Sequence, residues 1–288
     1  RAHQLAQTLR AGIAPVQWMP DAAYGLGYPM FRYYAALPYY LAAVLDIAGA
    51  GVLWGIKLTQ ALGFVLAGWA MYRLARAVGA NAPGAVLASA AYTYAPFHLA
   101  NVYVRGDALS EFYAYALYPL ILWALIALRE RVTTARIAAL AVSYAALALT
   151  HNISVLIFSP LVGVWLLIEA LGSHPRRDWR TLLWGGLALG LGLALSAWFW
   201  WPALREQSLV QLQEQTTGYF HYEGHFRVLN LVNWQPVHDY SIDGKRDPFN
   251  MGLIQTLLTL ASLAALVVRC IKRQPMSRAQ GLAVLTLA

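Results

Sequence analysis

Long apolar runs separated by short polar connections make up most of the chain from residue 51 onward. A run of about 20 apolar residues predicts a helix that crosses a bilayer. The apolar segment 37–50 has only 14 residues, so we expect it to form a helix that lies at the membrane interface instead. The predicted spans are 52–72, 83–102, 109–128, 137–150, 153–171, 181–202 and 250–268.

The polar stretches between these runs predict two large loops on the outer side of the membrane. The first, residues 1–50, combines an amphipathic pattern over 1–12 with a stretch rich in glycine, proline and tyrosine, so we expect interfacial helices within it. The second, residues 203–249, has too many aromatic residues for a disordered segment. We interpret residues 1–288 as one domain in which these loops flank a bundle over 51–202, with further transmembrane helices over 250–288.

Composition agrees with a membrane protein, since 59% of the residues are hydrophobic and 12% are charged, against about 25% charged in soluble domains. The net charge of +8 is distributed unevenly between the two sides. The connections on one side hold twelve of the 21 cations and three of the 13 acids, whereas the rest of the chain holds nine cations and ten acids. This asymmetry places the basic connections in the cytoplasm and argues against nucleic acid as a partner.

The chain begins at Arg1 and ends at Ala288 within a new apolar run. We therefore expect a fragment of a longer protein that lacks material at both ends. The single cysteine, Cys270, excludes an internal disulfide.

An arginine and two carboxylates lie between two predicted spans, in the stretch 101–111. Asp107 and Glu111 are four residues apart, so they share one face and the first turn of a helix that begins there. Ionisable groups at the membrane that face a bundle or a cavity are costly and usually functional. The alternative is an N-terminal helix cap with a local ion pair to Arg105.

Two histidines and an asparagine near the outer ends of the spans are further candidates for substrate binding. The predicted span 137–150 is short, so His151 and Asn152 should lie below the outer surface and line a cavity. His98 lies four residues before the end of its span and faces either such a cavity or the packed bundle.

Arg32 lies within a cluster of aromatic residues in the first loop. Its guanidinium either binds a lipid phosphate, which we favour, or only extends to the headgroups. The adjacent Tyr33 and Tyr34 are candidates for the same binding site.

Two patterns have a simpler explanation than a functional site. His221 and His225 are four residues apart, but a tyrosine and not a glutamate follows the first histidine, and Gly224 disfavours a helix, so we expect ordinary loop contacts and not zinc. Gly186 and Gly190 have the spacing that allows helices to approach closely, so we expect them to pack.

The order of these features resembles the GT-C superfamily, integral-membrane glycosyltransferases that use polyprenyl-phosphate-linked sugars. More narrowly, the chain resembles a bacterial membrane family described as 6-pyruvoyl-tetrahydropterin synthase-related. The motifs are Trp18-Met-Pro20, Gly25-Leu-Gly-Tyr-Pro-Met-Phe31 with Tyr33-Tyr34, Arg105-Gly-Asp-Ala-Leu-Ser-Glu111, Leu149-Thr-His-Asn152, Gly224-His-Phe226 and Asn233-Trp234. The resemblance covers essentially the whole chain, and no soluble pterin-synthase domain is visible in it.

The resemblance implies an all-α, GT-C-like polytopic bundle of the bacterial inner membrane with its catalytic pocket on the outer face. It places Asp107 and Glu111 at the second acidic motif, which holds a divalent metal such as Mg²⁺ or Mn²⁺ in some members, while other members work without metal. The first acid of the superfamily would precede Arg1, on a first transmembrane helix that this chain lacks, and His3 would lie shortly after it.

The expected reaction is transfer of a sugar from a polyprenyl-phosphate donor to a glycan, lipid or protein acceptor outside the membrane. It needs a base for the acceptor hydroxyl and cations for the departing phosphate. A carboxylate supplies the first, and Arg105, Arg32 and Arg227 are candidates for the second. One alternative is a non-catalytic protein that binds or transports lipid-linked glycans. Another is a secondary transporter, which fits less well with charges that cluster at the outer face.

Overall fold

The computed structural model describes residues 1–105, 108–171, 179–210, 217, 234–240 and 250–272, with the backbone alone for 169–171. Helices comprise 79% of these residues, and the described part contains no β-strand. The α-helices are Ala2–Arg10 (α1), Met30–Tyr33 (α2), Leu37–Leu45 (α3), Val52–Ala77 (α4), Ala82–Thr93 (α5), Pro96–Tyr103 (α6), Leu109–Glu130 (α7), Thr134–Thr150 (α8), Asn152–Leu171 (α9), Trp179–Arg205 (α10) and Leu253–Ile271 (α11).

Four of these helices, α4, α7, α10 and α11, are long and apolar enough to cross a membrane. The helix α8 and the part of α9 that ends at Ile168 are apolar but shorter. The prediction of an all-α, polytopic helical bundle is therefore confirmed. We call the end of the bundle that carries the basic connections the basic end, and the opposite end the outer end.

The helix α7 forms the centre of the bundle. In its most apolar stretch 67% of the residues are buried, against 6% for α11. Ile121 and Leu125 of α7 are fully buried in a core that α8 and α9 complete. Pro119 cannot donate to the Tyr115 carbonyl one turn earlier, and the Tyr92 hydroxyl of α5 donates to that carbonyl instead, at 2.7 Å.

The predicted span 83–102 is interrupted in the structure, which corrects the sequence prediction. The helix α5 ends at Thr93, and α6 begins at Pro96. A proline lacks an N–H and disfavours the helical conformation of the residue before it, and Ala95 is accordingly extended, with ψ of 134°.

The interruption exposes carbonyl groups that polar side chains then approach. The His98 Nδ1 atom lies 2.8 Å from the Thr93 carbonyl oxygen, and Nε2 of Gln255 in α11 donates to the Ala91 carbonyl at 2.8 Å. Because lipid offers no hydrogen bonds, side chains must satisfy such backbone groups within a bundle. The second contact therefore attaches α11 to the break between α5 and α6.

The helix predicted over 37–50 is present as α3, which continues into a π-helical turn over Asp46–Ala50. Gly49 and Gly51 have φ of 101° and 75°, values that other residues rarely adopt, so the chain can turn here into α4. The two helices pack closely, since a Cβ at Gly55 would lie 2.6 Å from the Ala42 carbonyl oxygen. The first loop is thus fastened to the bundle.

The first loop also builds an apolar cluster on the outer end of α7. Leu5 of α1, Phe31 of α2 and Tyr39 of α3 are buried there together with Leu109 and Phe112 of α7. Burial of this kind stabilises each large side chain by about 1.5–3 kcal/mol. The loop is therefore a packed layer over the bundle and not an independent segment.

The helix α10 packs against α8 and α9 through glycines other than those predicted. A Cβ at Gly192 would lie 2.7 Å from the Ala141 carbonyl oxygen of α8, and one at Gly185 would lie 2.6 Å from a leucine of α9. Around Gly186 and Gly190, no heavy atom of another described element lies within 4 Å of such a Cβ. The prediction of close packing at that pair is therefore wrong, because both glycines face away from the neighbouring helices.

We expect Gly192→Ala to destabilise the bundle and Gly190→Ala to leave it stable. The extra methyl group at residue 192 meets a backbone oxygen, which cannot move aside as a flexible side chain can, and overpacking of this kind costs about 1–3 kcal/mol. The measurement is the melting temperature of each purified variant in the same detergent. Equal melting temperatures for the two variants would contradict this account of the packing.

Candidate functional site

Hydrogen bonds hold the chain between α2 and α3 against the outer ends of α7 and α9. The Ala35 N–H donates to Oδ1 of Asn152 at 3.0 Å, and the Ser110 hydroxyl donates to the Ala35 carbonyl at 3.1 Å. Asn152 also donates through Nδ2 to the Tyr33 carbonyl at 2.7 Å. Both polar groups of the Asn152 side chain therefore bind backbone, so this residue positions the first loop.

A cavity of about 460 Å³ opens beside this segment at the outer end. It is lined by Arg1, Ala2, Tyr34, Tyr39, Ile56, Arg105 and Ala108. Nη1 of Arg1 donates to the Tyr39 hydroxyl at 3.0 Å, and the guanidinium lies over the Tyr34 ring, 5.3 Å from its centroid. Two guanidinium groups and two phenol rings thus line one space, which we call the arginine–tyrosine cavity.

Arg105 and Glu111 form an ion pair next to the arginine–tyrosine cavity. The Arg105 guanidinium also donates to Oδ1 of Asn101 at 3.0 Å, and Asn101 is fully buried. Glu111 lies in the first turn of α7 with 21% of its side chain exposed. The local ion pair that the sequence offers as an alternative is therefore present, while no side-chain hydrogen bond caps α7 at Ala108.

His151 lies between α8 and α9, in a chain of hydrogen bonds. Its Nδ1 is 2.7 Å from the Ser154 hydroxyl oxygen, which accepts a hydrogen bond from the Tyr118 hydroxyl at 2.6 Å. Burial lowers the pKa of His151, while the Glu111 carboxylate acts to raise this pKa and the Arg105 guanidinium acts to lower it. The imidazole is thus neutral at pH 7. A neutral imidazole has one N–H and one unprotonated nitrogen, so His151 can offer either a donor or an acceptor to a neighbouring group.

His98 and His3 occupy contrasting positions. His98 is fully buried between the rings of Phe112 and Tyr115, whose centroids lie 4.5 and 5.0 Å from its own. Both of its ring nitrogens face backbone carbonyl groups. Of the two roles left open for His98, the structure supports packing within the bundle. His3 is exposed on α1 and is not one of the residues that line the arginine–tyrosine cavity.

Arg32 and Tyr33 connect the first loop to the end of α10. The Arg32 guanidinium binds both carboxylate oxygens of Glu206, with Nε to Oε2 at 2.8 Å, and it donates to Oε1 of Gln17 at 2.6 Å. The Tyr33 hydroxyl donates to the Glu206 carbonyl at 3.2 Å. A carboxylate of the chain itself therefore occupies the position expected for a lipid phosphate.

Two of the predicted site residues, Asp107 and Arg227, lie outside the described residues, as do His221 and His225. Within the described part, no group of three histidine, cysteine, aspartate or glutamate side chains could hold a metal ion. Of the two predicted metal ligands, Glu111 alone is described, and its carboxylate is paired with an arginine. The metal site formed by Asp107 and Glu111 therefore stays a prediction.

The model of the 6-pyruvoyl-tetrahydropterin synthase related domain, a membrane protein family, matches residues 31–277. The chain belongs to this family. The narrower of the two resemblances is thereby confirmed. No curated protein and no solved structure matches the chain. The matched region includes Arg105 and Glu111, whereas Arg1 and His3 precede it.

Sequence reasoning did not identify several contributors to the site. Arg1 and Tyr39 are 38 residues apart, and no local pattern connects them. Ser154 had a visible signal, because it lies three residues after His151, which directly precedes α9, so the two side chains can meet across the first turn of that helix.

Replacing Asn152 by alanine should loosen the chain between α2 and α3. The Ala35 N–H loses its acceptor, and a hydrogen bond of about 1 kcal/mol corresponds to roughly fivefold faster amide exchange. Asn152→Asp retains an acceptor for this N–H and is the matched control. Hydrogen exchange with mass spectrometry of the peptide around residue 35 measures the effect, and equal protection in wild type and Asn152→Ala would refute the assigned role.

Acid should weaken the contact between the first loop and α10. The hydrogen bonds from Arg32 lower the pKa of the Glu206 carboxyl from its ordinary value of 4.5. A group whose pKa is lowered on folding stabilises the folded form above its ordinary pKa, and this contribution is lost as the pH falls through the lowered value. The contact should therefore persist at neutral pH and loosen only in acid, as the pH falls below the ordinary value of 4.5 and through the lowered pKa of Glu206.

Spin labels at Tyr24→Cys and Leu209→Cys, in a Cys270→Ser background, report this contact as a distance distribution. We expect a narrow distribution at neutral pH that broadens in acid. Glu206→Gln should be broad at both values of pH, because an amide cannot form the ion pair with Arg32. A Glu206→Gln distribution as narrow as that of its parent would show that the pair does not hold the loop.

Proposed function

We propose that this protein is a GT-C type glycosyltransferase of the bacterial inner membrane. It transfers a sugar from a polyprenyl-phosphate donor to a glycan, lipid or protein acceptor at the extracytoplasmic face. The observation that carries the proposal is the arginine–tyrosine cavity with the Arg105–Glu111 pair beside it, at the end of the bundle opposite to the basic connections.

The arginine–tyrosine cavity offers cations for a phosphate. Arg1 and Arg105 both line it, and a guanidinium binds phosphate through two parallel hydrogen bonds. Arg1 is oriented by the Tyr39 hydroxyl and the Tyr34 ring, and Arg105 by Asn101, before any ligand binds. Cations that are oriented in advance stabilise the charge that develops on a departing phosphate.

A second cavity, of about 520 Å³, supports a lipid-linked donor over a soluble one. It is lined mainly by apolar and aromatic side chains, namely Ala14, Pro15, Ala36, Leu37, Tyr40, Leu149, Trp198 and Phe199. The chain segment 34–40 borders both this cavity and the arginine–tyrosine cavity. A polyprenyl phosphate has a charged group joined to an apolar chain, and the two cavities offer a place for each.

Glu111 is the proposed base. When a phosphate binds Arg105, it competes with Glu111 for the guanidinium and leaves the carboxylate to accept the proton of the acceptor hydroxyl. The acceptor oxygen bonds to the anomeric carbon as the bond from that carbon to the phosphate oxygen breaks. The polyprenyl phosphate leaves with the electron pair of that bond, and Arg1 and Arg105 hold its charge. His151, whose pKa responds to the charges of both Glu111 and Arg105, binds the substrate by a hydrogen bond.

The first test uses the full-length protein in proteoliposomes with a panel of polyprenyl-phosphate sugars. Glu111→Gln should lower turnover about 10²–10⁴-fold, the contribution of a general base, and Asp107→Asn and Arg105→Gln should also impair it. Arg131→Gln, an exposed position at the basic end, is the matched control and should turn over as wild type does. Variants are compared only if they elute from size-exclusion chromatography and melt as wild type does, so that a loss of turnover does not reflect misfolding.

The same assay separates the rival functions. If wild type binds the lipid-linked sugars without consuming any of them, the protein is a non-catalytic binder or transporter. If Glu111→Gln turns over as wild type does, the base lies elsewhere.

Repeating the assay with EDTA tests whether the reaction depends on a metal ion. Such an ion would need Asp107 as well as Glu111 as ligands. Activity that EDTA abolishes and Mg²⁺ or Mn²⁺ restores would assign this pair as metal ligands. Activity that survives EDTA would leave Glu111 as a base that acts without metal.

A further inference from the structure

A third cavity, of about 340 Å³, lies between α4 and α7 at the basic end of the bundle. Its lining includes charged and aromatic side chains, namely Tyr72, Arg73 and Arg76 of α4 and Trp123 and Glu130 of α7. On α4, Arg73 is about 25 Å from Ile56, which lines the arginine–tyrosine cavity. The two cavities are therefore separate, and the proposed glycosyl transfer does not use this one.

Aromatic rings fix the position of the first arginine. The Arg73 guanidinium lies 4.7 Å from the centroid of Trp123 and 6.0 Å from that of Trp69. The two indoles contact each other edge to face, with centroids 5.3 Å apart. Stacking on an aromatic face leaves the N–H groups at the edge of a guanidinium able to bind an anion.

The charges that line this cavity are not neutralised within it. Arg76 donates through Nη1 to the Ala80 carbonyl at 2.9 Å. Of the ion pairs formed between described residues, none involves Arg73, Arg76 or Glu130. Two guanidinium groups and one carboxylate leave a net charge of +1 on the lining, which matches the single negative charge of a phosphodiester.

An exposed apolar stripe runs from this cavity toward the middle of α4. Leu62, Val65 and Trp69 are 51%, 68% and 44% exposed. Their spacing places them on the same face of the helix as Arg73 and Arg76. A ligand whose phosphate binds the two arginines can thus lay an apolar chain along this stripe.

We infer that this cavity binds the headgroup phosphate of an anionic phospholipid. Basic pockets between transmembrane helices on the cytoplasmic side are suited to such headgroups, and tryptophan favours the membrane interface. The net charge selects an anionic lipid over a zwitterionic one, whose own cation would meet the arginines. The apolar stripe favours a lipid over a soluble phosphate.

The test is native mass spectrometry of the full-length protein, titrated in neutral detergent with phosphatidylglycerol or phosphatidylcholine. We expect phosphatidylglycerol to be retained more strongly, and Arg73→Gln and Arg76→Gln each to weaken its retention about fivefold. Glu130→Gln should strengthen retention, because it removes the one carboxylate of the lining. Arg131→Gln, a nearby exposed arginine outside the cavity, should bind as wild type does.

Several results would overturn the inference. Equal retention of the two lipids would show that the cavity does not select an anionic headgroup. If Arg131→Gln and Arg76→Gln lose the same amount of bound phosphatidylglycerol, the lipid is attracted by the charged surface in general and not by this cavity. Displacement of phosphatidylglycerol by an equal concentration of inorganic phosphate would assign the cavity to a soluble anion. Arg73→Lys with Arg76→Lys preserves the charge, so retention in this variant would support the site even where a glutamine variant is unstable.

Discussion

Inside a membrane, a backbone carbonyl that loses its helical partner must find another group of the protein, and this constraint connects the parts of the bundle. Pro96 and Pro119 interrupt regular bonding along their helices, and His98, Gln255 and Tyr92 approach or bond the carbonyl groups left without a helical partner. These contacts join α11 to the break between α5 and α6, and α5 to α7. His98, Gln255 and Tyr92 therefore serve the backbone of the bundle, while Arg1, Tyr34, Tyr39 and Arg105 line the candidate site at the outer end.

The order and extent of most helices could be predicted because hydropathy is a property of neighbouring residues. The contacts that define the site could not, because their partners are distant in sequence: Arg32 and Glu206 are 174 residues apart. The packing of Gly192 and the exposure of Gly190 depend on how α10 is rotated against its neighbours, which a spacing rule does not specify. Pro96 was visible in the sequence, but an apolar run over 83–102 masked the break that it causes.

The described arginines show how surroundings decide the role of a guanidinium. Arg32 is bound by a carboxylate and an amide, and its role is to hold the first loop. Arg105 pairs with Glu111, donates to Asn101 and also lines the arginine–tyrosine cavity, so a phosphate that binds in this cavity competes with Glu111 for the guanidinium. Arg73 is held by aromatic rings, which orient its charge without neutralising it. An arginine whose charge is neutralised by a carboxylate of the chain, as in Arg32, serves the structure, whereas an arginine without such a partner among the described residues, as in Arg73, keeps its charge for a ligand.

The first loop reaches its final position only through residues that are synthesised long after it. Its apolar cluster needs Phe112, its backbone needs Asn152, and its last ion pair needs Glu206. During biosynthesis the loop must therefore remain incompletely folded while the ribosome makes the following helices, and it docks in stages as α7, α9 and α10 take their places. The first loop lines the arginine–tyrosine cavity, so a chain whose insertion stops early leaves this cavity with a loop that is not yet fixed.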